Sequence, residues 1–458
     1  VRMTYDATIR VPRGMLALMS AENPQQTNDT GIYTFAMKDP IPSYLVALAV
    51  GRLEFRPLSD RSGVYAEPEL IDAAEEELGY IPAMVEAGQR IAGPYRWGRY
   101  DVLLMPPTYV VGGMEHPRLN FIAPFSVATG NHPKQLYPTT LIAHELSHSW
   151  SGDLATVANW NDVWLNEGIT SYLTLRIIEE VAARDRADYS FFNDRATYAD
   201  YVSNLKDQSF TRLHRDVTNS DFAAGVFNTS AYTKGELFMK TLEDLVGRAT
   251  LDAFLRDYFA TFSFRWVDDK AFLSFFRARV VRGNAQLESR LQLDDWVYGT
   301  GLPANITAPT SSSIYNAVAI EAAAFRAGKA ASALPRDWEP FEFDLFFALA
   351  FSSAGSRMAE LDSVFHFSDM ASPPTSWLNL TVDANYLAGR PALERILRRG
   401  GGNGLVQSLY SRLARTAAGK QYALSIYATA RDRYAPFVRS FVDQVLGWAG
   451  ATSMKRAA

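Results

Sequence analysis

Four side chains near the middle of the chain have the types and spacing of a metal site: His144, Glu145, His148 and Glu167. If residues 137–150 form a helix, His144 and His148 project from the same face one turn apart, so both imidazoles can bind one ion. A random chain with only six histidines would contain His-Glu-x-x-His roughly 0.004 times. The motif therefore predicts a zinc site.

A catalytic zinc ion takes three protein ligands and keeps a fourth position open, so the two histidines need a partner. Glu167 is the candidate because it lies 19 positions after His148, enough chain to finish one helix and begin a second. Glu145 then remains free as the base that takes a proton from water at the metal. We expect one Zn²⁺ per chain, bound by His144, His148 and Glu167.

Length and composition indicate a multidomain globular protein. The 458 residues exceed the size at which one hydrophobic core stops growing, so two or three domains are expected. A net charge of −5 argues against a general affinity for nucleic acid or an anionic membrane. The chain has no cysteine, so the metal must be bound by nitrogen and oxygen ligands. No segment reaches the roughly 18 apolar residues of a membrane span.

The order of the elements divides the chain into three predicted domains. Residues 1–56 contain two β-rich stretches, and the opening alternates like a strand in mid-sheet, so we interpret them as the C-terminal remnant of a β-domain. Residues 57–303 combine strands, the metal helices and further helices. Residues 304–458 follow a linker rich in Pro, Ser, Thr and Ala and are almost wholly helical.

Apolar spacing gives two more specific helix predictions. A helical pattern starts near residue 67 and continues towards Gly93. In the helical region one helix is expected over residues 405–418 and the next over residues 422–431.

Three motifs follow one another along the chain: Gly112-Gly113-Met114-Glu115-His116, His144-Glu145-Leu146-Ser147-His148 and Trp164-Leu165-Asn166-Glu167-Gly168. Together they are very similar to the motifs of the thermolysin-like zinc aminopeptidases, the family of aminopeptidase N. Phrases such as the one from Pro42 to Leu48 resemble the leukotriene-hydrolase branch. The resemblance implies a multidomain α/β and α fold: a partial N-terminal β-domain, a thermolysin-like zinc catalytic domain and a C-terminal all-helical domain.

The resemblance also assigns substrate-binding roles. Gly112, Gly113 and Met114 permit close approach of an extended peptide to an edge strand, whereas the alternative is an ordinary glycine turn. Glu115 is expected to bind the free α-amino group of a peptide, because a fixed carboxylate pairs with an ammonium. Tyr232 matches the family tyrosine that donates to the tetrahedral oxyanion.

Three departures from the family pattern bear on specificity. His116 replaces the asparagine that contacts the substrate backbone, so altered affinity is expected. Ala224 and Phe227 replace the aspartate and tyrosine used by the leukotriene branch for epoxide hydration. By a weak alignment, Lys420 and Tyr422 take the places of the arginine and lysine that bind the substrate carboxylate, and ordinary helix surface is the alternative for both.

The expected function is hydrolysis of the N-terminal residue from peptides with a free N-terminus by a metal-activated water. Two alternatives remain: a leukotriene-type epoxide hydrolase, and a catalytically weak scaffold that binds peptides. Neither nucleic acid nor a membrane span is expected, and oligomeric state is open. The true N-terminus is interpreted as missing, and the cytoplasm is the default location.

Overall fold

The structure is a computed structural model that describes residues 1–106, 109, 111–123, 136–217, 227–351, 357–400 and 403–448. The described residues form two compact units. The first unit comprises Val1–Leu103, Gly113–Phe121 and Thr139–Ser312, and the second comprises the described parts of Leu104–Gly112, Ile122–Pro138 and Ser313–Ala458.

The chain begins with β structure. Strand β1 (Arg2–Arg10) pairs antiparallel with β3 (Ile32–Pro42), and β2 (Leu16–Met19) pairs antiparallel with β4 (Leu48–Gly51). Alternate residues of β3 are buried, as the period of a strand requires. A five-stranded sheet follows in the order β5-β6-β7-β9-β8, whose strands are Glu54–Pro57, Ser62–Ala66, Tyr100–Leu104, Leu119–Ile122 and Gly113–Met114. The strand with Gly113 therefore lies at one edge of the described sheet.

The helical pattern from residue 67 to Gly93 is two helices, α1 (Ile71–Glu77) and α2 (Ile81–Ala92). The chain turns at Gly79-Tyr80 between the two helices. Gly93 ends α2 with a positive φ of 100°, a conformation that glycine adopts without strain.

Two helices supply the metal-site residues. Helix α3 (Leu136–Ser147) carries His144 in its last turn, and a tight turn after it contains His148. Helix α4 (Trp164–Val181) is buried on all sides from Trp164 to Ile178, as expected for a helix in the middle of a core. A short strand, β10 (Ala155–Val157), lies between the two helices and pairs in parallel with β11 (Arg265–Val267).

Further helices complete the first unit. They are α5 (Arg184–Asn204), α6 (Gly235–Val246), α7 (Arg248–Thr261), α8 (Asp269–Phe276), α9 (Ala285–Leu291) and α10 (Leu293–Tyr298). A π-helical turn, Ser230–Lys234, leads directly into α6. Such turns widen a helix locally and often occur at functional sites.

The second unit contains eight helices among the described residues: α11 (Ser313–Arg326), α12 (Pro340–Ala350), α13 (Met358–Phe365), α14 (Thr375–Asp383), α15 (Arg390–Arg399), α16 (Asn403–Leu413), α17 (Ala417–Ala430) and α18 (Pro436–Leu446). Two buried hydrophobic clusters hold them together, one around Phe346 and Trp377 and one around Leu409 and Ile426. No helix in the described part of the chain combines the length and apolar character that crossing a membrane needs.

Candidate active site

Three predicted metal ligands meet between α3 and α4. His144 Nε2 lies 3.2 Å from His148 Nε2, and Glu167 Oε2 lies 3.3 and 3.5 Å from these two nitrogens. Three atoms at such separations lie on a circle of about 1.9 Å radius. Zinc binds imidazole nitrogen and carboxylate oxygen at about 2.0–2.2 Å, so the three atoms are close enough together to hold one zinc ion.

The hydrogen bonds around the three residues show that a cation fits between them. His148 Nδ1 lies 3.0 Å from Ser151 O, which assigns the ring proton to Nδ1 and leaves the Nε2 lone pair facing Glu167. Asn166 Nδ2 donates to Glu167 Oε1 at 3.0 Å, whereas Oε2 is buried without any hydrogen-bond partner. A buried carboxylate oxygen that faces two ring nitrogens at ion-pair distance and makes no hydrogen bond of regular geometry fits a metal ion.

The electrostatics of the site agree with that assignment. Burial raises the pKa of Glu167, but His148 and His144 lower it more, so the net shift is downward. Burial lowers the pKa of His148, but the charges of Glu115 and Glu167 raise it well above its ordinary value. The carboxylates therefore favour a positive charge at this point, which a bound metal ion supplies.

Glu145 is buried beside the predicted ligands and takes no part in the three contacts that join them. Its carboxylate, that of Glu115 and a ring nitrogen of His148 lie within 4.8 Å of one another. Burial raises the pKa of Glu145 well above its ordinary value, and the charge of Glu115 adds to this while His148 opposes it. A raised pKa suits a carboxylate that must accept and then release a proton.

Gly113 allows the edge strand to pass directly over Glu145. A Cβ atom at position 113 would lie 2.3 Å from Glu145 Oε1, so no larger residue fits without moving the carboxylate. Gly112 O accepts the backbone N–H of Ala123, and Met114 is half-buried in the edge strand.

Tyr232 is brought to the metal ligands by the π-helical turn before α6. Its ring stacks on His144 with centroids 6.0 Å apart and an interplanar angle of 24°. Burial raises the pKa of the phenol, and the charges of Glu167 and Glu115 raise it further, so the hydroxyl keeps its proton. Tyr232 therefore offers a neutral O–H donor beside the ligands.

A close contact between two glycines fixes the positions of Glu167 and Tyr232. A Cβ atom on Gly168 would lie 2.6 Å from Gly235 Cα, so α4 and the start of α6 touch at backbone distance. Gly168 follows Glu167 directly, and Gly235 ends the turn that contains Tyr232. The motif around Glu167 includes Gly168, but sequence gave no signal that Gly235 is its partner.

Glu115 and His116 follow the edge strand directly, and both are buried. His116 Nδ1 lies 3.2 Å from Leu45 O, and its ring meets Phe121 edge-on at 4.7 Å. Burial lowers the pKa of His116 to about 4 against the smaller opposing effect of the Leu45 carbonyl. This histidine is therefore neutral at pH 7 and is held by the backbone carbonyl of Leu45.

Three of the four residues at the other two departures lie in the described part of the chain. Ala224 is outside the described residues. Phe227 is half exposed and packs on Trp160 with ring centroids 5.5 Å apart. Lys420 lies on α17 in the second unit, where Tyr422 donates to Glu394 Oε1 at 3.1 Å.

Several supporting residues were not identified from the sequence. Thr170 Oγ1 lies 3.2 Å from His148 Nδ1 and donates to Ser151 O, which helps to orient the ring. Tyr44 packs on Trp160 at 5.5 Å, and both line a cavity of about 590 Å³. Burial raises the pKa of Tyr44, and the charge of Glu115 raises it further, so the phenol is close to the Glu115 carboxylate.

Comparison with known proteins agrees with this geometry. Residues 79–293 match the model of the peptidase family M1 domain, and residues 347–446 match that of the leukotriene A4 hydrolase C-terminal region. Leucine aminopeptidase 2 of Neurospora crassa is 31% identical over 484 aligned positions, which cover 98% of this chain and 68% of that protein.

Two further similarities differ in how much of the chain they include. Mouse aminopeptidase B is 37% identical over 60% of this chain, and the match spans 42% of the mouse protein, so less than half of that relative is represented. The structure of native yeast LTA4 hydrolase superposes with a TM-score of 0.85 at 26% identity, covering 98% of this chain and 75% of the yeast chain.

Proposed function

The chain belongs to peptidase family M1, in its leukotriene A4 hydrolase-like branch, and from this we propose that it is a zinc-dependent aminopeptidase. Its fold is that of the branch: a small N-terminal β-domain, the catalytic domain and a C-terminal helical domain. The predicted borders after residues 56 and 303 remain part of the proposal. The buried, unpartnered Oε2 of Glu167 between two imidazole nitrogens is the observation that most directly supports the function.

The proposed ligands are His144, His148 and Glu167, with one zinc ion per chain. When bound, zinc acts as a Lewis acid on the scissile carbonyl and lowers the pKa of water to about 7. Glu145 accepts the proton of the attacking water and later passes it to the leaving amine, because its carboxylate lies beside the ligands without being one of them. Its raised pKa favours the first of these transfers, the uptake of the proton.

Tyr232 and Glu115 are proposed to act on the substrate. The phenol of Tyr232 donates its hydrogen to the oxygen of the scissile carbonyl as negative charge develops there. The carboxylate of Glu115 pairs with the α-ammonium group and so places the first peptide bond at the ligands. Gly112, Gly113 and Met114 present the edge strand to the peptide, and His116 accepts or donates one hydrogen bond near it as a neutral ring.

The substrates proposed are peptides with a free N-terminus. Lys420 remains the proposed partner of the peptide carboxylate, with a single ammonium in place of a bidentate guanidinium. The cytoplasm remains the proposed location.

The decisive experiment combines metal analysis with a panel of aminoacyl fluorogenic substrates, each assayed free and with an acetylated N-terminus. We expect one zinc per chain, turnover of free aminoacyl substrates and none of the acetylated ones, since acetylation removes the charge that Glu115 binds. Absence of metal together with absence of cleavage would contradict the proposal.

An epoxide hydrolase of the leukotriene type is a second candidate because the helical region matches that branch. Phe227 lacks the hydroxyl of the family tyrosine and packs on Trp160. We therefore expect no hydration of the lipid epoxide by enzyme that is active on aminoacyl substrates. Hydration at a comparable rate would favour this second activity.

A further inference from the structure

A separate cavity of about 510 Å³ lies in the second unit between the ends of α14 and α16 and the starts of α15 and α17. Among the described residues that line it are three arginines, Arg390, Arg412 and Arg415, and one carboxylate, Asp383. We call it the arginine cavity. It is of the size that binds small organic molecules in other proteins.

The single carboxylate does not neutralise the three guanidinium groups. Asp383 Oδ2 accepts from Arg412 Nη1, and Asp383 Oδ1 is 3.9 Å from Arg415 Nη1. Arg390 instead lies over the ring of Tyr422, 4.4 Å from its centroid, and donates to Asn385 Oδ1 at 2.9 Å. The described lining therefore keeps an excess of positive charge.

The N-terminal end of α17 adds to the positive potential. Thr416 caps this 14-residue helix by accepting the N–H of Gly419 at 3.0 Å, and both residues line the cavity with Ala418. The cap satisfies one N–H group of the first turn, and the helix itself provides no partner for the others. The positive end of a helix dipole next to arginines favours an anion.

Two buried polar atoms at the cavity are without a hydrogen-bond partner: Arg412 Nε and Thr381 Oγ1. Thr381 is only 2% exposed. Leu393, Leu413 and the Tyr422 ring supply apolar lining beside these polar groups. The lining thus combines cationic and apolar groups, which suits an anionic group attached to an organic body.

We propose that the arginine cavity is a binding site for an organic phosphate. Guanidinium groups bind phosphate through paired N–H donors, and a helix N-terminus adds backbone donors and a favourable dipole. The cavity is larger than inorganic phosphate requires, and its apolar lining residues have no role in binding inorganic phosphate. None of the described lining residues is a proposed metal ligand or a proposed catalytic group, although Tyr422 occupies one of the two positions aligned with the family's carboxylate-binding residues.

Isothermal titration of the full chain tests the proposal at fixed ionic strength with inorganic phosphate, ribose 5-phosphate, AMP and citrate as probes. We expect ribose 5-phosphate or AMP to bind more tightly than inorganic phosphate and citrate. If neither binds, or if citrate binds most tightly, the assignment to organic phosphates is wrong.

The charge reversal Arg415→Glu tests whether the phosphate binds in this cavity. Arg415 is 65% exposed at its side chain, so the change leaves the core intact. We expect binding to weaken at least about tenfold, equivalent to about 1.4 kcal/mol. Arg336→Glu is the matched control, because Arg336 is also exposed in the second unit and does not line the cavity. It should change binding by less than about twofold.

Two further measurements keep the result interpretable. Equal weakening by both variants would show general electrostatic attraction and overturn the proposal. Turnover of an aminoacyl substrate without phosphate checks that Arg415→Glu is folded, and Arg415→Gln replaces it if it is not. Arg415→Gln is expected to weaken binding in the same direction, and unchanged binding in that variant would also overturn the proposal.

Discussion

Among the described residues of the first unit, three groups of histidine and carboxylate have their candidate ligand atoms within 4.8 Å of one another, and two of these groups share no residue. One consists of His144, His148 and Glu167, and the other of Asp162, His214 and Asp269. Residue types and burial are similar in the two clusters. They differ in whether each carboxylate oxygen accepts a hydrogen bond from the protein.

In the second cluster every carboxylate has a protein donor. His214 Nδ1 lies 2.7 Å from Asp162 Oδ1, and Asp162 Oδ2 accepts the backbone N–H of Asp269 at 3.3 Å. Tyr298 donates its hydroxyl to Asp269 Oδ2. In the first cluster the buried Oε2 of Glu167 has no such donor. An unsatisfied buried acceptor, more than the set of residue types, therefore distinguishes a metal site from an internal ion pair.

Replacing one histidine in each cluster gives the largest expected difference in zinc content. His148→Ala removes one of the three proposed ligands, so we expect zinc to fall from about one ion per chain to none and activity to fall to background. His214→Ala removes a donor but no zinc ligand, so zinc content should be unchanged. Elemental analysis of both purified variants measures this. Loss of zinc in His214→Ala would contradict the distinction between the clusters.

A smaller loss is expected when the base is changed and the ligands are kept. Glu145→Gln removes the proton acceptor but preserves size, so kcat/KM should fall by about 10²–10⁴-fold while zinc content stays the same. Metal analysis and aminoacyl-substrate kinetics on one preparation separate the two quantities. Normal turnover at full zinc occupancy would show that Glu145 is not the base.

The part of the site that sequence predicts is the part that local geometry determines. The four-residue spacing of His144 and His148 follows from the helical period, and Glu167 lies in the first turn of a second helix, as expected. The contact of Gly168 with Gly235 could not be predicted, because it joins residues far apart in sequence through tertiary packing. The same holds for the cluster of Asp162, His214 and Asp269.

In the helical region, apolar periodicity predicted helices but not all of their ends. The helix expected over residues 405–418 ends at Leu413, and α17 begins at Ala417, five residues before the expected position. Thr416 causes the difference, because its side chain accepts from Gly419 and caps the new helix. Helix α14 was not predicted, and it starts immediately after Pro374, where proline commonly precedes a helix.

Each cluster has a neighbouring tyrosine, and replacing each of them by phenylalanine gives a matched pair of variants with smaller expected effects on kcat. Tyr232→Phe removes the proposed donor to the developing oxyanion, so kcat should fall by about 10²–10³-fold with zinc content unchanged. Because the ring remains stacked on His144, little loss of thermal stability is expected. Steady-state kinetics and thermal unfolding of the variant test both statements. An unchanged kcat would exclude Tyr232 from the reaction.

Tyr298→Phe is the counterpart and has the smallest expected effect. Its hydroxyl donates to Asp269, in the cluster for which no metal ion is proposed. We therefore expect kcat and zinc content to stay within about twofold of the original protein. Stability should fall by about 1 kcal/mol, because Asp269 is buried and loses a donor while the Tyr298 ring itself is partly exposed. Thermal unfolding measures that loss. If Tyr298→Phe lowered kcat as much as Tyr232→Phe, the second cluster would have to contribute to catalysis and the contrast between the two clusters would not hold.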